Sequence, residues 1–195
     1  DEVAIFGYEL LSQPDPTLED RIPYIRHLNQ GAIVLAKQRD IVIVSKPIDR
    51  TYHNWLLNIG LGTQNVITPK ADTNFLIPDL VIDGAFPGLE GDIYVPRISM
   101  GREKLAADSL GVRLFGSTEE LTLHLYDKGI FKQLCIEEDI PTARGETISS
   151  DRVICRKTLE QSIDQILTEA KFVMVKVPNS SAGVGMHKVT KESKE

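Results

Sequence analysis

A continuous apolar run at residues 41–44 is the feature that most constrains how this chain folds. Consecutive β-branched residues are typical of a strand that is covered on both faces. A short helix is predicted over residues 51–58, Gly60 and Gly62 end it, and a second strand begins at residues 65–67. Strand, helix and strand in this order form a βαβ unit, which predicts a parallel sheet.

The same alternation of strands and helices continues to about residue 116. Further short strands are predicted at residues 80–82, 92–95 and 112–115, and residues 17–30 are predicted to be helical around Pro23. Ser99 is predicted to cap a helix that runs to Leu110, where Gly111 ends it. We therefore expect an α/β domain built on a parallel sheet.

The pattern changes after Gly116. A helical region is predicted over residues 119–138, capped by Ser117 or Thr118, interrupted near residues 127–129 and ended by Pro141. A strand is then predicted at residues 142–148, and Thr158 with Gln161 forms a capping box for a further helix. A second domain is therefore expected to begin between residues 116 and 126.

An apolar strand predicted at residues 172–177 carries one charged residue, Lys176, and leads into a loop of small residues, 179–185. Glycines in such a loop let backbone N–H groups approach an anion, and a nearby lysine supplies the positive charge. The pattern indicates a strand–loop–strand device that grips a polyphosphate. The alternative is an ordinary hairpin with a polar turn.

Composition excludes several classes of function. The formal net charge is −6, which gives no electrostatic support for nucleic-acid binding. No apolar run reaches membrane-spanning length. The four histidines are too scattered to suggest a metal site, and Cys135 and Cys155 are expected to be buried, reduced thiols. We expect a cytoplasmic protein that interacts with neither nucleic acid nor membrane.

Three features follow one another along the second half of the chain. Asp127 and Lys128 begin a helix, Ile140 and Pro141 follow its end, and Lys176 precedes the glycine-containing loop. This order resembles that of the ATP-grasp superfamily. The stretch 126–141 resembles that superfamily's "DK…K…L…GIP" segment, although Glu138-Asp139 stands where the family often has a glycine. Residues 94–117 resemble the end of the pre-ATP-grasp domain that is typical of amino-acid and peptide ligases.

The resemblance implies a fold and a set of ligand-binding residues. Residues 1–118 would form a Rossmann-like pre-ATP-grasp domain, and residues 119–195 an α+β N-terminal subdomain of the ATP-grasp fold. Lys128 and Lys176 would contact the phosphates of ATP; for Lys128, the alternative is a solvated lysine paired with Asp127 or another carboxylate. The lid over the triphosphate would consist of Ser180, Ser181, Gly183, Val184 and Gly185.

The implied function is an ATP-dependent carboxylate–amine ligase for peptides or amino acids, acting through an acyl phosphate on small-molecule substrates, with a homodimer as one expected assembly. The family's magnesium ligands and adenine contacts lie beyond the segment matched here. The resemblance thus implies a portion of a longer enzyme that is not competent alone. The competing hypothesis is a non-catalytic α/β module for a small ligand or a protein, with Asp49 and Arg50 at a strand end as its contact residues.

Overall fold

The structure, a computed structural model, describes residues 2–9, 25–70, 75–148, 156–180 and 185–194. The chain divides into two compact units, Asp1–Thr122 and Leu123–Glu195. The division lies four residues after the boundary expected at residue 118, and each unit is described below by itself.

The first unit is built on a five-stranded, wholly parallel sheet. Its strands are β1 (Ala4–Phe6), β2 (Ile41–Ile43), β3 (Val66–Ile67), β4 (Ile93–Val95) and β5 (Arg113–Leu114). They lie in the order β3-β2-β1-β4-β5, which is the order of doubly wound α/β sheets. The predicted α/β class with a parallel sheet is therefore confirmed.

Helices cover both faces of this sheet. They are a 3₁₀ helix (Ile25–Leu35), α1 (Arg50–Asn58), α2 (Ile77–Ile82) and α3 (Arg102–Leu110), while α4 (Glu119–Tyr126) contains the division between the units. Because side chains alternate along a strand, Phe6 packs toward the 3₁₀ helix and α1, whereas Ile5 packs toward α2 and α3. Two apolar cores, one on each face, hold the sheet.

Two predictions for this unit were wrong, and one strand was missed. Residues 80–82 are the end of helix α2 and not a strand, because Pro78 suits a first helical turn and the apolar residues pack on the sheet. Ser99 does not cap α3; it is buried where a side chain on Gly116 would overlap it, and Gly101 is the N-cap at φ 89°. Strand β1 was not predicted at all. Of the helix predicted at 17–30, residues 17–24 lie outside the described ranges.

The buried carboxylate of Asp40 fixes the start of β1 beside the start of β2. Its Oδ1 accepts a hydrogen bond from the Ala4 amide at 3.0 Å, and its Oδ2 accepts one from the Lys37 amide at 2.7 Å. Two main-chain donors from separate segments are thus satisfied by one side chain.

We expect Asp40→Ala to lower the free energy of unfolding by about 2–3 kcal/mol, because both amides lose a charged acceptor in a largely buried place. Urea unfolding followed through Trp55, which lies on α1 of this unit, measures the change. The exposed Asp108, paired with Lys104, is the control; Asp108→Ala should change stability by less than about 0.5 kcal/mol. Equal losses in the two variants would contradict the role given to Asp40.

The second unit contains helices and a separate two-stranded sheet. Helix α5 (Lys128–Glu137) and helix α6 (Arg156–Leu167) precede strands β6 (Val173–Lys176) and β7 (Met186–Val189), which pair antiparallel. The predicted interruption between α4 and α5 at Asp127 is confirmed. The strand predicted at 142–148 is absent from those residues, and Thr158 lies inside α6 and does not cap it.

Candidate functional site

Helix α5 begins at a capped N-terminus. Asp127 is the N-cap, and its Oδ1 accepts hydrogen bonds from the amides of Gly129 at 2.7 Å and Ile130 at 3.0 Å. This carboxylate is therefore used by the helix backbone. Lys128 makes no ion pair with any residue in the described part of the chain, so the alternative in which it pairs with a carboxylate is not observed.

The Lys128 ammonium group reaches the chain segment that leaves β6. Its Nζ lies 3.2 Å from the carbonyl oxygen of Val177 and 2.8 Å from that of Pro178. It also contacts the carbonyl oxygen of Ser180 and, at 3.2 Å, the Ser180 hydroxyl. Four oxygens thus lie around an ammonium group that has three N–H donors, so two of the oxygens must share one N–H. The segment that follows Lys176 is held to the first turn of α5.

The main chain strengthens the same connection. The Lys128 amide donates to the carbonyl oxygen of Pro178 at 3.3 Å. The Ser180 hydroxyl donates to the carbonyl oxygen of Val177 at 3.0 Å. Ser180, predicted as part of the lid, therefore lies against Lys128 in this structure.

Gly185 closes the other side of the loop. Its carbonyl oxygen accepts a hydrogen bond from the Val177 amide at 3.2 Å, which extends the β6–β7 ladder by one residue pair. The φ angle of Gly185 is 68°, and an added Cβ would lie 2.6 Å from Cγ2 of Val177. Both the left-handed backbone and the close approach require glycine here. Gly185, which was predicted to be part of the lid, has a structural role in this loop.

Lys176 is the last residue of β6, and its side chain is exposed. The other residues of β6 are half-buried. No cost of burying an ammonium group arises, because Lys176 extends into solvent. Its positive charge lies at the same end of the hairpin that the Lys128 ammonium group contacts.

Three residues predicted for the lid, Ser181, Gly183 and Val184, lie outside the described ranges, as does Cys155. Cys135 is buried, as predicted, on helix α5. Of the predicted site, the structure brings together Lys128, Ser180 and Gly185 beside the end of β6, which carries Lys176.

The first unit gives little support for the competing hypothesis of a non-catalytic binding module. Asp49 is the N-cap of α1, where its Oδ1 accepts a hydrogen bond from the Tyr52 amide at 2.8 Å. Its carboxylate is therefore used by the backbone of α1. At the strand ends between β1 and β4, where open α/β sheets usually bind ligands, Tyr94 packs directly over Gly7.

Sequence inspection did not identify the buried Tyr94 as a residue of this edge. Burial raises the pKa of its hydroxyl strongly, and the charges of Glu103 and Glu9 raise it further. The phenol therefore stays neutral, and its Oη lies 3.5 Å from the carbonyl oxygen of Gly7. A tyrosine next to β-branched strand residues looks like any core aromatic in sequence, so only the strand order reveals its position.

Other classes of site have little support within the described ranges. No group of three or more His, Cys, Asp or Glu side chains there could hold a metal ion. No helix in the same residues combines the length and the apolar character needed to span a membrane. Comparisons with protein-family models, curated proteins and solved structures found no match to this chain.

Proposed function

We propose that the second unit binds the phosphates of ATP in an ATP-dependent carboxylate–amine ligase that joins amino acids or peptides. One observation carries this proposal: the Lys128 ammonium group, from the start of α5, contacts the carbonyl oxygen of the residue that follows Lys176. Two lysines from distant parts of the sequence thus belong to one end of the β6–β7 hairpin. The order of Lys128, Lys176 and the glycine-containing loop supports the same conclusion.

The arrangement suits a triphosphate chemically. Ammonium groups offset the negative charge that resists attack at the γ-phosphorus. They also stabilise the negative charge on the phosphate oxygens in the transition state. In the proposed reaction, a carboxylate oxygen attacks the γ-phosphorus and ADP leaves, forming an acyl phosphate. The amine then attacks the acyl carbon, phosphate leaves, and the amine loses a proton. The residues described here would bind and orient the phosphates.

The Lys128 ammonium group is already held by oxygens of the protein before any phosphate binds. Its Nζ has four oxygen neighbours for three hydrogens, so a phosphate oxygen can replace one of them without leaving the group unpaired. The backbone contact with Pro178 keeps the helix start and the loop together during that exchange.

Calorimetric titration of the full protein with ATP tests the proposal, with Lys176→Ala as the informative variant. We expect ATP to bind and the variant to bind about tenfold or more weakly, because an exposed ammonium that contacts phosphate is lost. Lys171→Ala, an exposed lysine just before β6, is the control and should bind as the parent does. Absence of ATP binding, or equal binding by the parent and Lys176→Ala, would refute the proposal.

A further inference from the structure

The register of the β6–β7 hairpin places a second lysine beside Lys176. Lys176 pairs with Met186, and Met174 pairs with Lys188. Residues directly opposite each other in an antiparallel pair share a face, and alternate residues of one strand do too. Met174, Lys176, Met186 and Lys188 therefore lie on one face.

Phe172 belongs to the same face. It lies two residues before Met174, and the Lys188 ammonium group lies 4.8 Å from the centre of its ring. We call these five residues the hairpin face. All but the half-buried Met174 are exposed.

The hairpin face is positively charged in an acidic protein. Residues 172–177 and 185–190 contain no Asp or Glu, although the whole chain has a net charge of −6. The Lys188 ammonium group lies over an aromatic ring, and neither Lys176 nor Lys188 forms an ion pair within the described residues. Lys176 and Lys188 are diagonal neighbours in the strand register, so their main-chain positions are about 7–8 Å apart. Two unneutralised lysines placed along one face complement an elongated anion.

We propose that Lys188, positioned by Phe172, is a further ligand-binding residue, and that a nucleoside polyphosphate lies along the hairpin face in contact with both Lys176 and Lys188. This inference rests on the proposed function. Lys176 lies at the loop end of the hairpin, and Lys188 lies two residues farther from the loop than Met186. Lys176 is therefore assigned to the phosphates nearer the loop, and Lys188 to those farther from it.

The role of the aromatic ring follows from the cation–π contact. An ammonium group over a ring samples fewer positions than a free lysine side chain. Phe172 is then a positioning residue, which acts through Lys188. Met174 and Met186 occupy the other two of the four paired positions, so the lysines on this face have apolar cross-strand partners.

ATP titrations of Lys188→Ala and Lys188→Arg test this inference. We expect Lys188→Ala to bind ATP about five- to tenfold more weakly and Lys188→Arg to retain most of the affinity. The difference between Lys188→Ala and the parent should shrink as salt rises, since it arises from an exposed charge. Phe172→Leu should cause a smaller loss, and Lys191→Ala, an exposed lysine beyond β7, should cause none.

The outcomes separate this inference from the proposed function. If the parent binds ATP and Lys176→Ala weakens binding while Lys188→Ala does not, the role of Lys188 is refuted and the proposed function stands. If the parent does not bind ATP, both are refuted. Circular dichroism and thermal unfolding of each variant should match the parent, because both lysine side chains are exposed.

Discussion

Gly7→Ala is expected to lower the free energy of unfolding of the first unit by about 3 kcal/mol or more. A Cβ at this position would overlap the hydroxyl and ring of Tyr94, and even its distance from Cε2 would be only 2.7 Å. The ring is fully buried and cannot turn away into solvent. The backbone cannot retreat either, because the Gly7 amide donates to the carbonyl oxygen of Val95 at 3.1 Å.

A control variant and a compensating double variant test this prediction. Gly31→Ala, where an added Cβ meets nothing within 4 Å, should change stability by less than about 0.5 kcal/mol. Combining Gly7→Ala with Tyr94→Leu should cost less than the sum of the two single changes, by about 1–3 kcal/mol, because the shorter side chain makes room. Urea unfolding followed through Trp55 fluorescence measures all four variants. Gly7→Ala as stable as Gly31→Ala would contradict the packing described at this edge.

Lys128→Met is expected to lower ATP affinity about 30-fold, because a charged hydrogen-bonding group worth about 2 kcal/mol is lost. Methionine keeps much of the apolar stem, so packing against the start of α5 should change little. The carbonyl oxygens of Val177, Pro178 and Ser180 then lose their shared donor. Amide hydrogen exchange at Val177, whose N–H bonds Gly185, should become faster as well.

Two comparisons separate the two roles of Lys128. Lys132 lies one turn after Lys128 on α5, and its ammonium group contacts the carbonyl oxygen of Ala143. Lys132→Met should therefore leave ATP affinity unchanged. Lys176→Ala should lower affinity without faster exchange at Val177, since the Lys176 side chain is exposed and the hydrogen bonds found among the described residues at this loop come from Lys128. Lys128→Met with parental affinity and parental exchange would contradict both roles.

Much of the fold follows from local sequence pattern. The β-branched run at residues 41–44 predicted β2 correctly, and Asp127 marked the start of α5 because a carboxylate before a helical pattern caps it. Strand β1 was not predicted, because its place at the centre of the sheet depends on pairing with β2 and β4. Local pattern does not encode such distant pairing.

The candidate site, like the fold, could be predicted from the sequence only in part. Lys128 and Lys176 could be selected from their order along the chain and from the loop that follows. The contacts of the Lys128 ammonium group with main-chain oxygens could not be predicted, because they depend on how the hairpin packs against α5. Lys188 escaped notice because its face depends on hairpin register, and shifting the register by one residue would move it to the opposite face.

Calorimetric titration of ATP into the parent, Lys128→Met, Lys176→Ala and the double variant tests the central claim most directly. If both ammonium groups act on one triphosphate, the parent binds ATP, inorganic tripolyphosphate competes with it, and each single change weakens binding. The double variant should then be the weakest, with a loss smaller than the sum of the single losses because the groups share one ligand. ATP binding by the double variant with the affinity of the parent would contradict the account.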